Sequence, residues 1–333
     1  MNNQNSFSGK RVLITGGLGF IGSALARSLV NLGADVTLVD SLIPEYGGNL
    51  FNITDIKTRV RINISDVRDP FAMRYLLQGQ EYLFNLAGQT SHIDSMDAPH
   101  TDLNINAGAQ LSILETCRNH NPSIKIVFAS TRQLYGKPEY LPVDEKHPIH
   151  PVDVNGINKL AGEWYHILYN NIYGIRACAL RLTNTYGPGM RVKDARQTFL
   201  GIWLRNLIEG KPVLVFGNGE QLRDFNYVDD IVEALLMAAT SEKTNGEIYN
   251  LGSHEIINLK DLAKMLTDLH AGGRFKIVPF PPERKAIDIG NYYSDFSKIR
   301  ETLGWEPRIP LREGLQRSLD YYLVNHPHYW SEA

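Results

Sequence analysis

Residues 11–22 read RVLITGGLGFIG, an aliphatic run and then a glycine-rich turn that leads directly into a helical pattern. Gly17, Gly19 and Gly22 have the spacing Gly-x-Gly-x-x-Gly, and Gly16 adds a fourth glycine. Glycines let a backbone approach a pyrophosphate closely, and the free N–H groups of a helix N-terminus hold its negative charge. The segment therefore predicts a dinucleotide site between the first strand and the first helix. Its candidate contacts are Gly16, Gly19, Phe20, Ile21 and Gly22.

An acidic residue follows at the end of the second predicted strand. Asp40 is 18 residues beyond Gly22. A carboxylate at this place accepts hydrogen bonds from a ribose 2′-hydroxyl and repels a 2′-phosphate, so the sequence favours NAD over NADP. Asp66, just after the third predicted strand, is a candidate either for the adenine edge or for a helix cap.

Short β-branched runs alternate with helical patterns over the first half of the chain. Strands are predicted at Arg11–Thr15, Asp35–Asp40, Val60–Ile64, Tyr82–Leu86, Ile124–Ala129 and Ala177–Leu182. Helices are predicted at Ile21–Leu32, Pro70–Leu77, Thr101–His120 and Asn155–Tyr173. Such alternation is typical of βαβ units, in which parallel strands carry helices on both faces. We expect an α/β fold with a Rossmann-type doubly wound parallel sheet.

The character of the sequence changes after about Thr183, where glycine and proline become frequent and the predicted elements become shorter. We expect residues 1–182 to form the dinucleotide-binding Rossmann domain and residues 183–333 to form a smaller mixed lobe that binds the substrate. The chain is expected to cross between these two parts more than once.

Composition excludes several classes of protein. The chain of 333 residues has 34 Lys and Arg against 36 Asp and Glu, a formal net charge of −2, whereas a nucleic-acid partner requires clustered positive charge. No run approaches the roughly 18–20 apolar residues of a membrane span, and the N-terminal MNNQNSFSGK lacks the apolar core of a signal peptide. Two distant cysteines, Cys117 and Cys178, exclude a disulfide framework and a cysteine-based zinc site. We expect a soluble cytoplasmic protein that handles a small molecule without a metal.

Several ordered motifs resemble the extended short-chain dehydrogenase/reductase family, and within it the nucleotide-sugar epimerases and dehydratases. The motifs are TGGLGFIG at 15–22, DVRD at 66–69, NLAGQ at 85–89, STRQLYG at 130–136, LRLTNTYGP at 180–188, RDFNYVDD at 223–230, DFSK at 295–298 and LGWEP at 303–307. The resemblance covers nearly the whole chain. It implies a tightly held NAD that oxidises a sugar hydroxyl and often returns the hydride, with a nucleotide diphosphate sugar as the substrate.

The resemblance also implies roles for individual residues. Thr131 would hydrogen-bond the reacting sugar oxygen, and Lys159 would bind the nicotinamide ribose and lower the pKa of a neighbouring acid. Asn184, Arg223 and Arg284 would contact the diphosphate of the substrate, because a guanidinium matches phosphate oxygens in pairs. Further cofactor contacts are implied at Asp66, Val67, Leu86 and Ala87, and a substrate contact is implied at Gln89.

The sequence departs from the family where a Tyr-x-x-x-Lys motif is expected. Positions 155–159 read NGINK, so that Asn155 stands where the tyrosine is expected and Lys159 is kept. An amide cannot take a proton as a phenolate would. We expect Asn155 to position the substrate or nicotinamide within the catalytic group of Thr131 and Lys159. The proton would then pass through His92, in the loop after the fourth strand, or through a desolvated Lys159, while Tyr135 is expected to pack.

A second departure follows Thr131. Sugar 4,6-dehydratases have Asp-Glu after the catalytic threonine, whereas this chain has Arg132 and Gln133. Neither is a carboxylic acid, which disfavours the ordinary dehydratase mechanism. Arg132 is a candidate substrate-binding residue for a carboxylate or phosphate on the sugar, or else it faces solvent or a neighbouring loop.

The leading interpretation is an NAD-dependent nucleotide-sugar epimerase or isomerase that oxidises the sugar transiently and has a non-standard proton relay. A dehydratase, decarboxylase or ketosugar reductase on the same fold is one alternative, and a non-catalytic protein that binds NAD and a nucleotide sugar is another. Family members commonly dimerise through two long helices, so a homodimer is expected. On the second of these helices, Trp164, Ile167, Leu168 and Ile172 are expected to form an apolar stripe, which would suit either a dimer interface or a core-facing helix.

Overall fold

The computed structural model describes residues 6–196 and 198–330. Residues 1–5 lie outside the described residues. They are half of the polar N-terminal segment for which no signal peptide is expected. No helix within the described ranges is both long and apolar enough to cross a membrane.

Seven parallel strands form the central sheet of the molecule. They are β1 (Arg11–Thr15), β2 (Asp35–Asp40), β3 (Arg61–Ile64), β4 (Tyr82–Asn85), β5 (Lys125–Thr131), β6 (Ala177–Leu182) and β10 (Ile248–Asn250). Their spatial order is β10-β6-β5-β4-β1-β2-β3, and every neighbouring pair is parallel. The predicted doubly wound Rossmann-type sheet is therefore confirmed.

Twelve α-helices occur in the described residues. They are α1 (Phe20–Asn31), α2 (Pro70–Leu77), α3 (His92–Asp97), α4 (Pro99–Leu103), α5 (Ala109–His120), α6 (Val154–Tyr173), α7 (Phe199–Ile208), α8 (Val228–Thr240), α9 (Leu259–Asp268), α10 (Pro282–Lys285), α11 (Ser297–Leu303) and α12 (Leu311–Asn325).

The sheet carries a separate apolar core on each face. Leu25 and Leu29 of α1 pack with Ile231 of α8 in one core, while Met73 of α2 and Ile113 of α5 lie in the other. Strands that are covered on both faces need continuous apolar runs, which explains why β1 and β5 are buried along almost their whole length.

The chain after Leu182 forms the smaller sheets and also returns to the large one. A three-stranded sheet has the order β11-β9-β7, from β7 (Asn184–Tyr186), β9 (Leu222–Tyr227) and β11 (Ile256–Asn258). A parallel pair joins β8 (Val213–Phe216) to β12 (Phe275–Val278). Helix α8 packs against α1, and β10 pairs with β6 at the edge of the large sheet.

The helical stretch before β5 is less regular than predicted. A single helix was expected at Thr101–His120, whereas α4 starts at Pro99 and is joined to α5 by a π-helical turn at Asn104–Gly108. The N–H of Ala109 reaches back five residues to the carbonyl of Asn104. Helical periodicity in the sequence cannot show such a turn. Asn106 within it donates a hydrogen bond to the carbonyl of Gln89 in the site described below, which accounts for the wider turn.

Helix α6 begins at an aspartate cap and ends at a glycine in the left-handed conformation. The Oδ1 atom of Asp153 accepts the N–H of Gly156 at 2.7 Å, and Gly174 has φ of 69°. The four residues of the predicted apolar stripe do not share one environment, because Ile167 packs inside the protein. Trp164, Leu168 and Ile172 are at least half exposed.

Candidate active site

One cavity of about 650 Å³ lies at the carboxyl ends of the parallel strands, which is where ligands bind in open α/β sheets. Its lining includes every residue that the sequence singled out for cofactor, substrate or catalysis. These are Gly16, Gly19, Phe20, Ile21, Gly22, Asp40, Asp66, Val67, Leu86, Ala87, Gln89, His92, Thr131, Arg132, Asn155, Lys159, Asn184, Arg223 and Arg284.

The glycine-rich turn brings backbone to the cavity. Gly16 has φ of 69°, a left-handed conformation. A Cβ atom on Gly22 would lie 2.2 Å from the carbonyl oxygen of Gly16, so position 22 admits no side chain. Helix α1 begins at Phe20, directly after Gly19. Free N–H groups of its first turn are thereby available to a bound anion.

Asp40 lies at the end of β2, and both of its carboxylate oxygens accept backbone hydrogen bonds. The N–H of Leu18 donates to Oδ2 at 3.1 Å, and the N–H of Leu42 donates to Oδ1 at 3.0 Å. Burial raises the pKa of Asp40, and these two bonds partly oppose the rise. Each oxygen keeps a second lone pair, so the carboxylate can still accept a ribose hydroxyl.

Asp66 forms an ion pair with Arg68 at the cavity edge. The Oδ2 atom of Asp66 lies 2.6 Å from Nη2 of Arg68, and this contact lowers the pKa of Asp66. The helix-cap alternative for Asp66 is wrong, because the cap of α2 is Asp69, whose Oδ1 accepts the N–H groups of Phe71 and Ala72.

Thr15 fixes the loop that follows β4. Its Oγ1 atom donates to Oδ1 of Asn85 at 2.9 Å and accepts the N–H groups of Leu86 and Ala87, each at 3.1 Å. The two predicted cofactor contacts, Leu86 and Ala87, therefore have a backbone held in place by a side chain of β1.

Thr131 ends β5 with its hydroxyl oxygen already used as an acceptor. The N–H of Gln133 donates to Oγ1 of Thr131 at 3.2 Å. The hydroxyl hydrogen has no acceptor in the part of the chain that the structure describes, so it is available to an oxygen atom in the cavity.

Lys159 is buried beneath the cavity. Its Nζ atom donates to the carbonyl of Ala129 at 2.5 Å and lies 4.3 Å from the centre of the Phe128 ring. Burial lowers the pKa of Lys159 to about 8, although the charges of Asp102 and Glu163 act in the opposite direction. The amine can therefore change its protonation state at only mildly alkaline pH.

Asn155 is 3% exposed and has an amide nitrogen shared among three acceptors. These are the carbonyl of Gln89 at 2.8 Å, Oε1 of Gln89 at 3.3 Å and Oδ2 of Asp102 at 3.0 Å. The other oxygen of Asp102 accepts Nδ2 of Asn158 at 2.8 Å. Asn155 thus joins the loop after β4 to a buried carboxylate on α4.

Sequence reasoning missed Asp102 and Asn106, which support Asn155 from behind. Asp102 has no exposed surface, and Nδ2 of Asn106 donates to the carbonyl of Gln89 at 2.9 Å. A polar residue inside a helical pattern is typical of a solvent-facing position, so nothing in the pattern distinguishes these two. Both face inward at the π-helical turn: Asp102 precedes the turn, and Asn106 lies within it.

His92 contacts a second buried carboxylate that the sequence did not single out as a site residue. Its Nδ1 atom lies 2.8 Å from Oδ2 of Asp153, which also accepts Nε2 of Gln133 at 3.1 Å. Burial raises the pKa of Asp153, but the contacts with His92, Gly156 and Gln133 outweigh it, so the net shift is downward. The imidazole is about one third exposed and faces the cavity.

Tyr135 lies outside the cavity lining and has a structural environment. Its hydroxyl donates to Oδ1 of Asn250 at 2.8 Å and accepts Nη1 of Arg181 at 2.5 Å. Burial raises the pKa of Tyr135 to about 12. This environment matches the packing role expected from the sequence.

Arg132 points inward rather than to solvent. Its Nη2 atom donates to Oδ1 of Asn184 at 3.1 Å, and its guanidinium lies over the ring of Tyr292 at 4.9 Å. Asn184 in turn donates Nδ2 to the carbonyl of Asp224 at 3.0 Å. The solvent-facing alternative for Arg132 is therefore wrong.

Arg223 on β9 and Arg284 on α10 line the cavity from the chain after Leu182. Arg223 donates to the carbonyls of Leu222 and Gly290 and lies 3.6 Å from Oδ1 of Asp288. Burial, together with the positive charge of Arg132, lowers the pKa of Arg223 to about 10. Arg284 packs over the ring of Phe216 at 5.6 Å. The part of the cavity that these two guanidinium groups line is its basic end.

Known proteins resemble this chain over almost its whole length. Residues 12–252 match the NAD dependent epimerase/dehydratase family. A Methanocaldococcus jannaschii protein named "Putative UDP-glucose 4-epimerase" is 34% identical over 316 residues, which are 94% of this chain and 99% of that protein.

Two solved structures show the same fold. The UDP-glucose 4-epimerase of Thermotoga maritima, with UDP-glucose, is 30% identical and has a TM-score of 0.86, covering 94% of this chain and 98% of that chain. The UDP-N-acetylglucosamine 4-epimerase of Methanobrevibacter ruminantium M1, in complex with UDP-N-acetylmuramic acid, is 25% identical and has a TM-score of 0.88, covering 96% and 100%. Other relatives are named as decarboxylases and dehydratases.

Proposed function

Because the chain belongs to the NAD dependent epimerase/dehydratase family, we propose that it is an epimerase that oxidises the sugar of a nucleotide diphosphate sugar transiently. One observation carries this proposal: the glycine turn, the group of Thr131, Lys159 and Asn155, and the basic end at Arg223 line the same cavity. A cofactor and a nucleotide sugar can therefore meet at one catalytic group.

The residues present fit NAD. The turn that excludes a side chain at Gly22 leaves backbone room for a pyrophosphate, and Asp40 disfavours a 2′-phosphate. NAD, when bound, takes a hydride from a sugar carbon and later returns it. The adenosine side of the cofactor would be held by Asp40 and Asp66, and the nicotinamide ribose by Lys159.

Thr131 supplies a donor for the reacting sugar oxygen. Because its oxygen accepts the N–H of Gln133, its hydroxyl hydrogen is directed to another acceptor. A hydrogen bond to the sugar oxygen would stabilise the negative charge that develops as its proton leaves. Lys159 adds a positive charge nearby.

Asn155 occupies, in this proposal, the position of the family's catalytic tyrosine. Its amide nitrogen is held by Gln89 and Asp102, and an amide has no proton to exchange near neutral pH. We assign Asn155 to positioning: it holds the Gln89 loop against α6 and presents its amide to the substrate or nicotinamide.

The proton is exchanged by His92 in this proposal. An imidazole is the usual side chain for proton exchange near neutral pH. Oδ2 of Asp153 lies 2.8 Å from Nδ1 as an ion-pair contact without hydrogen-bond geometry, and Nε2 would be left for the sugar hydroxyl. Lys159, with a pKa lowered by burial to about 8, is the second candidate for this step.

The proposed reaction is tested with the purified protein and its own cofactor. The bound dinucleotide is released by denaturation and identified by mass spectrometry, with NAD as the expected result. The protein is then incubated with UDP-glucose, UDP-N-acetylglucosamine and UDP-glucuronate, and the C4 epimer is measured by proton NMR. Loss of water or carbon dioxide without epimer would replace epimerase by dehydratase or decarboxylase.

We also propose that residues 1–182 hold the cofactor and residues 183–333 hold the nucleotide sugar. The protein would be a cytoplasmic homodimer. The dimer is supported by the exposed side chains of Trp164, Leu168 and Ile172 on α6, since a contiguous exposed apolar patch commonly marks an interface.

A further inference from the structure

Arg132 lies next to the residue that would bind the reacting sugar oxygen. It follows Thr131 directly at the end of β5, and both line the cavity. Asn184 and Tyr292 hold its guanidinium from two sides. A guanidinium has five N–H donors, and Asn184 accepts only one of them.

Among the residues that the structure describes, none forms an ion pair with Arg132. Its Nη1 atom is buried and has no hydrogen-bond partner within residues 6–196 and 198–330. A buried donor without an acceptor is unfavourable, and the penalty is larger for a charged group. Burial also lowers the pKa of Arg132. The site thus holds a cation in a form that an incoming anion would stabilise.

The two carboxylates whose charges act on Arg132, Asp224 and Asp288, have other partners. Asp224 accepts Oγ1 of Thr183 at 2.5 Å and the N–H of Ser294 at 3.0 Å. Asp288 accepts Nε2 of Gln221 at 2.8 Å and is the carboxylate beside Arg223. Neither forms an ion pair with Arg132 in the described part of the chain, which leaves its free donors for a ligand.

We propose that Arg132 binds a carboxylate carried by the sugar, so that the substrate is a nucleotide diphosphate uronate or another acidic sugar. This inference rests on the proposed function. The diphosphate of the nucleotide is the other anion that could reach a guanidinium here. Both anions would come near Arg132, because Asn184 accepts one of its donors and its charge acts on Arg223. The sugar carboxylate is favoured because Arg132 adjoins Thr131, whereas Arg223 on β9 and Arg284 on α10 supply two further cations for the diphosphate.

The two anions are distinguished by calorimetric titration of the NAD-loaded protein with UDP-glucuronate, UDP-glucose and UDP. The wild type is expected to bind UDP-glucuronate about 10- to 100-fold more tightly than UDP-glucose, the range for hydrogen bonds between charged groups. Arg132→Met should remove this difference and change the affinity for UDP-glucose and UDP by less than about threefold. Arg132→Lys keeps the positive charge but lacks the paired N–H donors of a guanidinium, so it should lose part of the preference for UDP-glucuronate.

Two controls separate a local effect from misfolding. Arg132→Gln keeps a polar side chain beside Asn184 and should lose the same selectivity with unchanged NAD content and melting temperature. Arg312→Met removes an exposed charge on α12, away from the cavity lining, and should leave all three affinities unchanged.

Other results overturn the assignment. Equal weakening of all three ligands by Arg132→Met would show that Arg132 binds the diphosphate. No preference of the wild type for UDP-glucuronate, or no loss in the variants, would show that no carboxylate is bound. If the wild type bound none of the three ligands, the proposed nucleotide-sugar site would itself be contradicted for uridine nucleotides. This result differs from a failure of Arg132 alone, in which the wild type still binds UDP-glucose and UDP.

Discussion

Proton transfer at this site depends on which side chain touches the sugar hydroxyl. In the proposed function, Asn155 takes the place of the family's tyrosine four residues before Lys159, and its amide is bonded to Gln89 and Asp102. His92 is the imidazole in the cavity that has a buried carboxylate at Nδ1.

His92→Gln is therefore expected to lower kcat by about 10²- to 10⁴-fold, the usual contribution of a general base. Thr131→Val should be similarly damaging, because it removes the donor to the sugar oxygen. Asn155→Ala should have a smaller effect than either, since its role is positional. The measurement is steady-state epimer formation by NMR together with transient nicotinamide absorbance. A large loss in Asn155→Ala with His92→Gln fully active would contradict this division of roles.

Asp40 is the residue expected to favour NAD over NADP. Replacing this carboxylate by alanine should weaken NAD by about 1.5–3 kcal/mol, the contribution of a hydrogen bond to a charged group. Calorimetric titration of stripped protein measures the change. Asp40→Asn is the comparison variant, because it removes the charge but keeps one acceptor oxygen for the N–H of either Leu18 or Leu42. It should gain NADP binding relative to wild type. Equal affinity of the wild type for both cofactors would contradict the assignment.

The buried amine of Lys159 makes stability depend on pH. The folded-state pKa is about 8 because of burial, and an unfolded lysine titrates at about 10.4. Between these values the unfolded chain binds more protons, so the free energy of unfolding rises with pH. Relative to Lys159→Met, the wild type should gain roughly 1–3 kcal/mol from pH 8 to pH 10.5. Chemical denaturation of both proteins at several pH values measures this; a constant difference would contradict it.

At the scale of elements, α6 has two sides with different surroundings. Asn155 and Lys159 face the cavity, while Trp164, Leu168 and Ile172 face solvent. Ile167 shows that a spacing of three to four residues does not by itself say which side of a helix is buried.

The exposed side of α6 is expected to form a dimer interface. Trp164→Glu should convert a dimer to a monomer, because a carboxylate in an apolar interface must be desolvated without a partner. Light scattering coupled to size-exclusion chromatography at micromolar concentration gives the mass. Val324→Glu, at an equally apolar exposed position on α12, is the control and should leave the dimer intact. A monomeric wild type would contradict the proposal.

The sequence predicted strands, and the turns beside them, well where a short run of residues determines the local structure. The bounds of β1, β2 and β6 agree with the sequence, because each aliphatic run is bounded by glycine, asparagine or a polar turn residue. The glycine turn and Asp40 were found for the same reason. The contacts of His92 with Asp153 and of Asn155 with Asp102 were not predictable, because they join residues that are distant in sequence and have no periodicity of their own.

At the scale of the whole molecule, the cofactor-binding part is completed by chain that comes much later. Helix α8 supplies Ile231, Val232 and Leu235 to the core beneath α1, and β10 covers the edge of β6. The carboxylate of Asp230 also accepts the N–H groups of Arg308 and Ile309, which ties the C-terminal segment to α8.

A fragment of residues 1–182 is therefore expected not to fold alone. Without α8 the apolar face of α1 is exposed, and without β10 the edge of β6 is unpaired, which favours aggregation. Circular dichroism and limited proteolysis of the purified fragment test this. Residues 1–252, which retain α8 and β10, are the comparison and should keep more protected structure. A fragment 1–182 with a cooperative melting transition would contradict the expectation.

The π-helical turn at Asn104–Gly108 also bears on how such a site could have arisen. An α-helix turns by about 100° per residue, so one additional residue rotates everything on one side of it relative to the other by that angle. Asp102 precedes the wide turn and accepts the amide of Asn155. Gln110 follows the turn; its Oε1 accepts Nδ2 of Asn85, and its Nε2 donates to the carbonyl of Ile105. The inward direction of both side chains thus depends on a single extra residue in the helix. A one-codon insertion or deletion is therefore enough, in evolutionary terms, to create or abolish the support beneath Asn155 without altering any residue of the cavity itself.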